Sequence, residues 1–260
     1  MKAKLRLYYR LAFVMLHFSY GLLLAGLLFP VLKWLSTAAL AKRNTDAIKA
    51  HWLKVFSGLL KLSIIQEGKK PQAGTLIVSN HISWLDIVVL GQFLPVYFVA
   101  KSDILGWPVI GFLAKQGGTI FIRRGDKRQI KATAEQMLWA LKQQSTVIAF
   151  PEGTTTSGNE VLNFHTSLLQ PAILTKSLIH PVALQYQGVA EQLAPFIGDD
   201  DFFSHLLRML SLDKISVRVS FLPAIHSAGR DRQSLGTEAR DAILEVITHQ
   251  CISVVASNAE

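Results

Sequence analysis

The stretch Ser79 to Leu90, SNHISWLDIVVL, sets an imidazole, His81, five residues ahead of a carboxylate, Asp86, between two apolar runs. On a continuous helix five residues turn the axis by about 500°, which leaves the two side chains apart. A strand-to-helix corner can bring them together. The tetrapeptide SWLD reads as a capping box, with Ser83 as N-cap and Asp86 at the third helical position, its carboxylate turned back toward the loop that holds His81. A carboxylate bonded to one ring nitrogen fixes the tautomer and leaves the other nitrogen as a base. With no protein nucleophile beside it, such a pair suits the deprotonation of a substrate hydroxyl. The spacing alone equally allows Asp86 to be only a cap and His81 a polar loop residue.

Two further corners carry groups of the same kind. In FPEGT, residues 150–154, Pro151 and Gly153 force a tight turn that displays Glu152 and backbone N–H groups suited to an anion. GTIFIRR, residues 118–124, ends an apolar strand in Arg123 and Arg124, whose planar forks favour phosphate or carboxylate. A base, a carboxylate and guanidinium groups at three strand ends describe one polar site at one edge of a sheet.

The elements that must position these corners alternate from about residue 74. Strands are expected at 75–79, 96–100, 119–123, 146–150, 180–186 and 215–221, and helices at 83–93, 127–143, 166–178 and 237–249. Short apolar strands separated by helices predict an α/β fold, with a mixed, mainly parallel sheet flanked by helices. Residues 45–62 place Ile48, Trp52, Val55 or Phe56, and Leu59 at helical spacing and read as an amphipathic helix.

The chain of 260 residues is half hydrophobic, only 17% charged, and carries a formal charge of +9. Up to residue 70 there are 12 Lys and Arg against 2 Asp and Glu, and beyond it 15 against 16, so the positive excess belongs to the N-terminus. That excess predicts a surface that meets anionic lipid, at about 1 kcal/mol per basic residue. No nucleic-acid-binding motif accompanies it. The single cysteine, Cys251, excludes an intrachain disulfide. Residues 12–29 are uncharged apart from His17 and as a helix would reach about 27 Å, close to the thickness of a hydrocarbon core. Lys2, Lys4, Arg6 and Arg10 precede this run, and Lys42, Arg43 and Lys49 follow it. A single span would put one cluster outside, against the positive-inside rule, whereas a re-entrant or interfacial helix pair bent at Pro30 keeps both on one side. The expected organisation is a membrane anchor over 1–44 and an α/β domain over 45–260. Neither Gly-x-Ser-x-Gly, a P-loop lysine nor His-Glu-x-x-His occurs, which argues against a serine hydrolase, a P-loop NTPase and a zincin.

NHISWLD resembles the first block, Asn-His-x-Ser-x-x-Asp, of the glycerolipid acyltransferase family. GTIFIRR is similar to its second block, FPEGT matches the third, and HPVAL, with Pro181 and Val182, resembles the fourth. The intervening FVAKSDILGWPVIG, with Lys101, is also similar, and the likeness covers roughly 74–186 in order. The resemblance implies O-acyl transfer from an acyl-CoA or acyl carrier protein thioester, without metal or bound cofactor, to a lysolipid hydroxyl. It implies 1-acyl-glycerol-3-phosphate as acceptor, with a lyso-ornithine lipid or another lysophospholipid as the alternative. By it His81 is the general base and Asp86 its support, while Lys101, Arg123 and Arg124 contact acceptor phosphate. Glu152, Gly153 and Thr154 shape the acceptor pocket. Membrane lipids are the implied partners and the cytoplasmic face of the membrane the implied location. Thr155 stands where many members carry arginine, which weakens the case for a phosphomonoester acceptor. A non-catalytic lipid-binding protein is the reading from another class.

Overall fold

The structure, a computed structural model, describes the backbone of residues 2–123, 125 and 127–257 and the side chains of 5–123, 125 and 128–248. Seven strands form one sheet: β1 (Leu62–Gly68), β2 (Leu76–Ser79), β3 (Val96–Lys101), β4 (Ile120–Ile122), β5 (Thr146–Ala149), β6 (Ile179–Gln187) and β7 (Ile215–Phe221). Their order across the sheet is β1-β7-β6-β2-β5-β3-β4. The five strands from β6 to β4 run parallel, β7 joins β6 antiparallel, and β1 lies parallel to β7. Every residue of β2 and β5 is buried, as a sheet covered on both faces requires.

The helices are α1 (Lys2–Leu23), α2 (Phe29–Leu35), α3 (Ala38–Leu59), α4 (Leu85–Gly91), α5 (Pro108–Gln116), α6 (Lys127–Lys142), α7 (Gln170–Thr175), α8 (Val189–Leu193), α9 (Phe202–Ser211) and α10 (Arg232–Ser257). Successive side chains of a strand face opposite ways. Ile77, Ile148, Leu184 and Val217 therefore meet Phe56 of α3, α4 and Met209 of α9, while Leu76, Val78, Val147 and Ala149 meet Met137 of α6 and Ile243 of α10. The strands and helices expected from the pattern are all present, with shifted ends. β1, α5, α8 and α9 come in addition.

Pro30 does not break the helix or turn the chain back. A π-helical turn, Leu24–Leu28, precedes α2, and helix continues from Leu5 to Leu35, 31 residues long and apolar enough to cross a membrane. Proline clashes with the carbonyl four residues back, and a wider π turn relieves that clash without breaking the helix. The chain reverses instead at Ser36 and Thr37, where the Thr37 hydroxyl caps α3 by accepting from Leu40 N–H. His17 stacks on Trp52, with ring centroids 4.4 Å apart, and further along α1 Leu24 and Ala25 pack with Ile48 and Trp52. α1–α2 and α3 thus form an antiparallel hairpin, and residue 44 lies inside its second arm.

The basic residues around the apolar run do not all look toward lipid. Arg10 is 5% exposed and donates to the carbonyls of Leu210 (3.0 Å) and Leu212, at the C-terminal end of α9. Arg6 donates to Ser211 O (2.9 Å) and pairs with Asp213. Lys49 donates to Gly117 O (2.8 Å), beyond the last turn of α5, and pairs with Asp46. Cations at helix C-termini answer unpaired carbonyls and the macrodipole. These three residues, expected to meet anionic lipid, therefore dock the hairpin on the α/β body.

Candidate active site

Because β2, β5, β3 and β4 are parallel, the residues that follow them emerge at one edge of the sheet. Asn80 extends the β2–β6 ladder with its side chain: Nδ2 donates to Leu184 O (2.9 Å) and Oδ1 accepts from Leu184 N–H (2.8 Å). The main chain is thereby freed to turn out, and His81 begins the loop. Its Nδ1 lies 2.8 Å from Asp86 Oδ2, so the pair expected from the corner forms. The same oxygen accepts the N–H groups of Ile82 (2.8 Å) and Ser83 (3.0 Å), and Oδ1 accepts the Tyr186 hydroxyl (2.8 Å). Asp86 is fully buried, and four donors offset the loss of its hydration. Asp86 beside Tyr186 adds to the burial that holds the phenol well above its ordinary range.

Ser83 is not the expected cap. Its hydroxyl is buried without a partner among the described residues and Trp84 occupies the N-cap, so only the carboxylate half of the capping box forms. An ionised Asp86 can only accept, so the proton of His81 sits on Nδ1 and Nε2 is left as acceptor. The imidazole stacks on Phe150, ring centroids 4.1 Å apart and planes 17° apart, and its side chain is 20% exposed.

Glu152 works behind this pair. It is 4% exposed, Oε1 accepts the His81 N–H (2.8 Å) and Oε2 the Leu162 N–H (2.8 Å). Burial pushes its carboxyl up from the ordinary range, against those two bonds. Glu152 therefore fixes the loop that carries His81, and does not face the cavity as the sequence suggested. Gly153 turns the chain with φ of 71°, a conformation that favours glycine, and closes a bond from its N–H to Phe150 O (3.0 Å).

A cavity of about 710 Å³ opens from this corner. His81, Lys101, Gly153, Thr154 and Thr155 line its polar part. Its apolar part runs along α3, past Phe56, Leu53 and Trp52, toward Lys49 and Asp46, with Phe18, Gly21 and Leu24 of the N-terminal helix as the other wall. Arg123 is exposed just past β4 and does not line the cavity, and Arg124 lies outside the described residues. The Thr155 hydroxyl donates to Phe196 O, while the Phe196 N–H donates to Ile82 O (2.9 Å), so the segment before α9 is clasped across the loop that carries His81. Sequence reasoning missed this clasp and Tyr186, and it quoted Asn80 as part of the first block without the bonds it makes to Leu184. A polar Tyr186 at the end of an apolar strand was the one available signal. Among the described residues no three His, Cys, Asp or Glu side chains converge to hold a metal ion.

A family model described as Acyltransferase matches residues 61–185. The lyso-ornithine lipid O-acyltransferase of Pseudomonas aeruginosa is 40% identical over 197 residues, covering 74% of this chain and 75% of that protein. The 1-acyl-sn-glycerol-3-phosphate acyltransferase of Neisseria meningitidis serogroup B is 33% identical over 177 residues, covering 67% and 69%. The crystal structure of the 1-acyl-sn-glycerophosphate acyltransferase PlsC of Thermotoga maritima shares the fold, with a TM-score of 0.70 over 96% of both chains at 18% identity. With these relatives behind a histidine–aspartate corner at the head of an apolar cavity, the chain belongs to the acyltransferase family and is an acyltransferase.

Proposed function

We propose that the chain transfers a fatty acyl group from a thioester of CoA or acyl carrier protein to the free hydroxyl of a lysolipid. The observation that carries this reading is His81, its Nδ1 bonded to Asp86 at 2.8 Å and its residue on the wall of a cavity whose far part is apolar. The acceptor hydroxyl gives its proton to Nε2 as its oxygen attacks the thioester carbonyl. Asp86 stabilises the imidazolium that results. Collapse of the tetrahedral adduct breaks the carbon–sulfur bond, and the thiolate leaves with the proton from Nε2. The acyl chain lies in the apolar part, where each methylene withdrawn from water contributes about 0.8 kcal/mol.

Both lysophosphatidic acid, the acceptor suggested by the sequence, and a lyso-ornithine lipid are named acceptors of relatives. Lys101, on the polar part of the cavity wall, supports a role for its ammonium in meeting the acceptor's anionic group. Membrane association is supported by the outer stripe of the N-terminal helix, where Leu5, Phe13, Leu16, Tyr20 and Leu27 are each at least half exposed. The hairpin enters one leaflet and returns, which keeps the body on the cytoplasmic face with the thioester donors.

The test is acyl transfer by the purified protein in mixed micelles, with acyl-CoA and acyl carrier protein as donors and a panel of lysolipids as acceptors. His81→Ala should lower turnover about 10²–10⁴-fold with an unchanged melting curve. Near-normal turnover in that variant would refute the mechanism.

A further inference from the structure

Strand β6 holds the segment from Asn80 to Asp86 at both of its ends. At the first, the Asn80 side chain bonds the N–H and the carbonyl of Leu184 (2.8 and 2.9 Å). At the second, the Tyr186 hydroxyl donates to Asp86 Oδ1 at 2.8 Å. Leu184 and Tyr186 are two positions apart on the strand, so their side chains share one face, and both are buried in the apolar cluster that holds Leu85 and Val89 of α4. A phenylalanine would fill that apolar volume as well as the tyrosine ring. What the hydroxyl adds is the bond to Asp86.

That bond differs in kind from the other three. The His81 ring, Ile82 and Ser83 all bond Oδ2, and all three belong to the loop just ahead of Asp86. Tyr186 is the one donor to Oδ1 among the described residues, and it comes from 100 residues along the chain. With Oδ1 held, the carboxylate does not turn about its Cβ–Cγ bond, and Oδ2 stays opposite the ring nitrogen of His81. The donated bond also draws negative charge toward Oδ1, which favours the ionised carboxylate and weakens its pull on the Nδ1 proton. Burial and the neighbouring carboxylate keep the phenol protonated, and so a donor, well above its ordinary range.

We infer that Tyr186 is a positioning residue for the reaction: through Asp86 its hydroxyl fixes the orientation of His81 and sets how strongly that imidazole takes a proton. This rests on the acyl-transfer reading and adds to it a residue that lies beyond the four sequence blocks. Other titratable groups stand around the pair. Glu152, from the corner after β5, accepts the His81 N–H, and His205 of α9 accepts from the Trp84 indole at 3.0 Å. Lys101, Asp103 and His165 lie on the cavity wall. All of them are retained when only the Tyr186 hydroxyl is changed, so a comparison at that one group isolates its effect.

The experiment compares three full-length proteins: the wild type, Tyr186→Phe, and a chain with meta-fluorotyrosine in place of Tyr186, whose more acidic phenol is a stronger donor. The readouts are kcat/KM against pH, with one acyl-CoA and one lysolipid, and the Nδ1–H proton resonance of His81, assigned by its loss in His81→Ala. Without the hydroxyl more charge stays on Oδ2, the imidazolium is held more tightly, and the acid limb of kcat/KM should move up by about half a unit to one unit. On the plateau kcat should fall about tenfold as the imidazole loses its fixed orientation, with KM within about threefold. The Nδ1–H resonance should move downfield. Meta-fluorotyrosine should move the limb and the resonance the opposite way. A merely structural partner would lower the melting point and leave both in place. A limb or a resonance at its wild-type position in Tyr186→Phe overturns the inference while acyl transfer stands. If Tyr186→Phe does not fold, the meta-fluorotyrosine protein decides by the same criterion. A wild type that transfers no acyl group to any lysolipid overturns the acyl-transfer reading and this inference with it.

Discussion

Asp86→Asn separates what Asp86 does for the fold from what it does for the reaction. The carboxylate takes three donors on Oδ2, from the His81 ring, Ile82 and Ser83, and one on Oδ1, from Tyr186. An asparagine amide satisfies this set in one orientation. Its carbonyl replaces Oδ2, and its NH₂ replaces Oδ1 and donates to the Tyr186 oxygen. Three bonds to a charged group become neutral ones, at about 1 kcal/mol each, and relief from burying a charge offsets part of that. Asp86→Asn should therefore fold, with a melting point lowered by a few degrees. The reaction loses more. An imidazolium about 4 Å from a carboxylate gains about 4 kcal/mol at an effective dielectric constant near 20, which is a factor of about 10³ in rate. The turnover number should fall on the order of 10²–10³-fold, with KM within about threefold.

Asp86→Ala is the control that must behave differently. It leaves two backbone N–H groups, a phenol and an imidazole N–H without acceptors at a buried position, each at about 1–3 kcal/mol. The total rivals the stability of a whole domain, about 5–15 kcal/mol, so this variant should not accumulate as folded enzyme. Thiol release from acyl-CoA gives the kinetic constants, and thermal unfolding followed by circular dichroism gives the stability. Wild-type turnover in Asp86→Asn, or an Asp86→Ala protein melting within a few degrees of wild type, would refute this account of the corner.

Glu152→Gln keeps one acceptor for two N–H donors and should cost about 1–3 kcal/mol in chemical denaturation, with turnover reduced because the His81 main chain loosens. Burial raises the Glu152 carboxyl above its ordinary value of 4.5, so the folded chain holds that proton more tightly than the unfolded one. Its contribution to stability is therefore fullest below that value and declines as pH rises through the raised one, a slope that Glu152→Gln should remove. Arg10→Met takes a charge from the carbonyls of Leu210 and Leu212 and should lower stability by about 2–3 kcal/mol; limited proteolysis should then cleave between α1 and α3, and resistance equal to wild type contradicts the docking. Thr155→Arg breaks the clasp on Phe196 and adds a cation beside the cavity, so KM for lyso-ornithine lipid should rise, and a lower KM for it contradicts this account of the clasp.

The sequence exposed the His81–Asp86 corner because its geometry is local: the two residues lie within six positions, and the bond between them needs only a strand that ends and a helix that begins. The buried strands were legible for the same reason, since β2 and β5 are short apolar runs closed by polar corners. Glu152 shows the limit. A carboxylate displayed on a turn looks the same whether it faces a ligand or the backbone behind it, and its partners, His81 and Leu162, lie 71 and 10 residues away. Pro30 misled because the rule that proline breaks helices assumes a regular i to i−4 ladder, and a π turn suspends that ladder locally. Arg6 and Arg10 misled because a basic residue flanking an apolar run is read against lipid, whereas the carbonyls that hold Arg10 are 200 and 202 residues along the chain. Helix α9 has a legible two-sided pattern, with Leu206, Met209 and Leu210 buried and Phe203 exposed.

The N-terminal helix explains why an anchor and a catalytic body are not separable here. Along α1 one stripe, Arg10, Val14, His17 and Gly21, recurs at intervals of three or four and is buried against α3 and α9. The opposite stripe, Leu5, Tyr9, Phe13, Leu16 and Tyr20, recurs at the same intervals and is exposed. A helix that is apolar all round reads as a membrane span or a core helix, and this one divides its circumference between the two. Gly21 makes the division feasible, since a methyl there would come within 2.9 Å of the Trp52 indole nitrogen. The inner stripe then continues into Leu24, which with Phe18 and Gly21 closes the cavity opposite the sheet. The cavity is thus walled on one side by the helix whose other side carries the exposed apolar stripe, so one element both presents that stripe and closes the chamber.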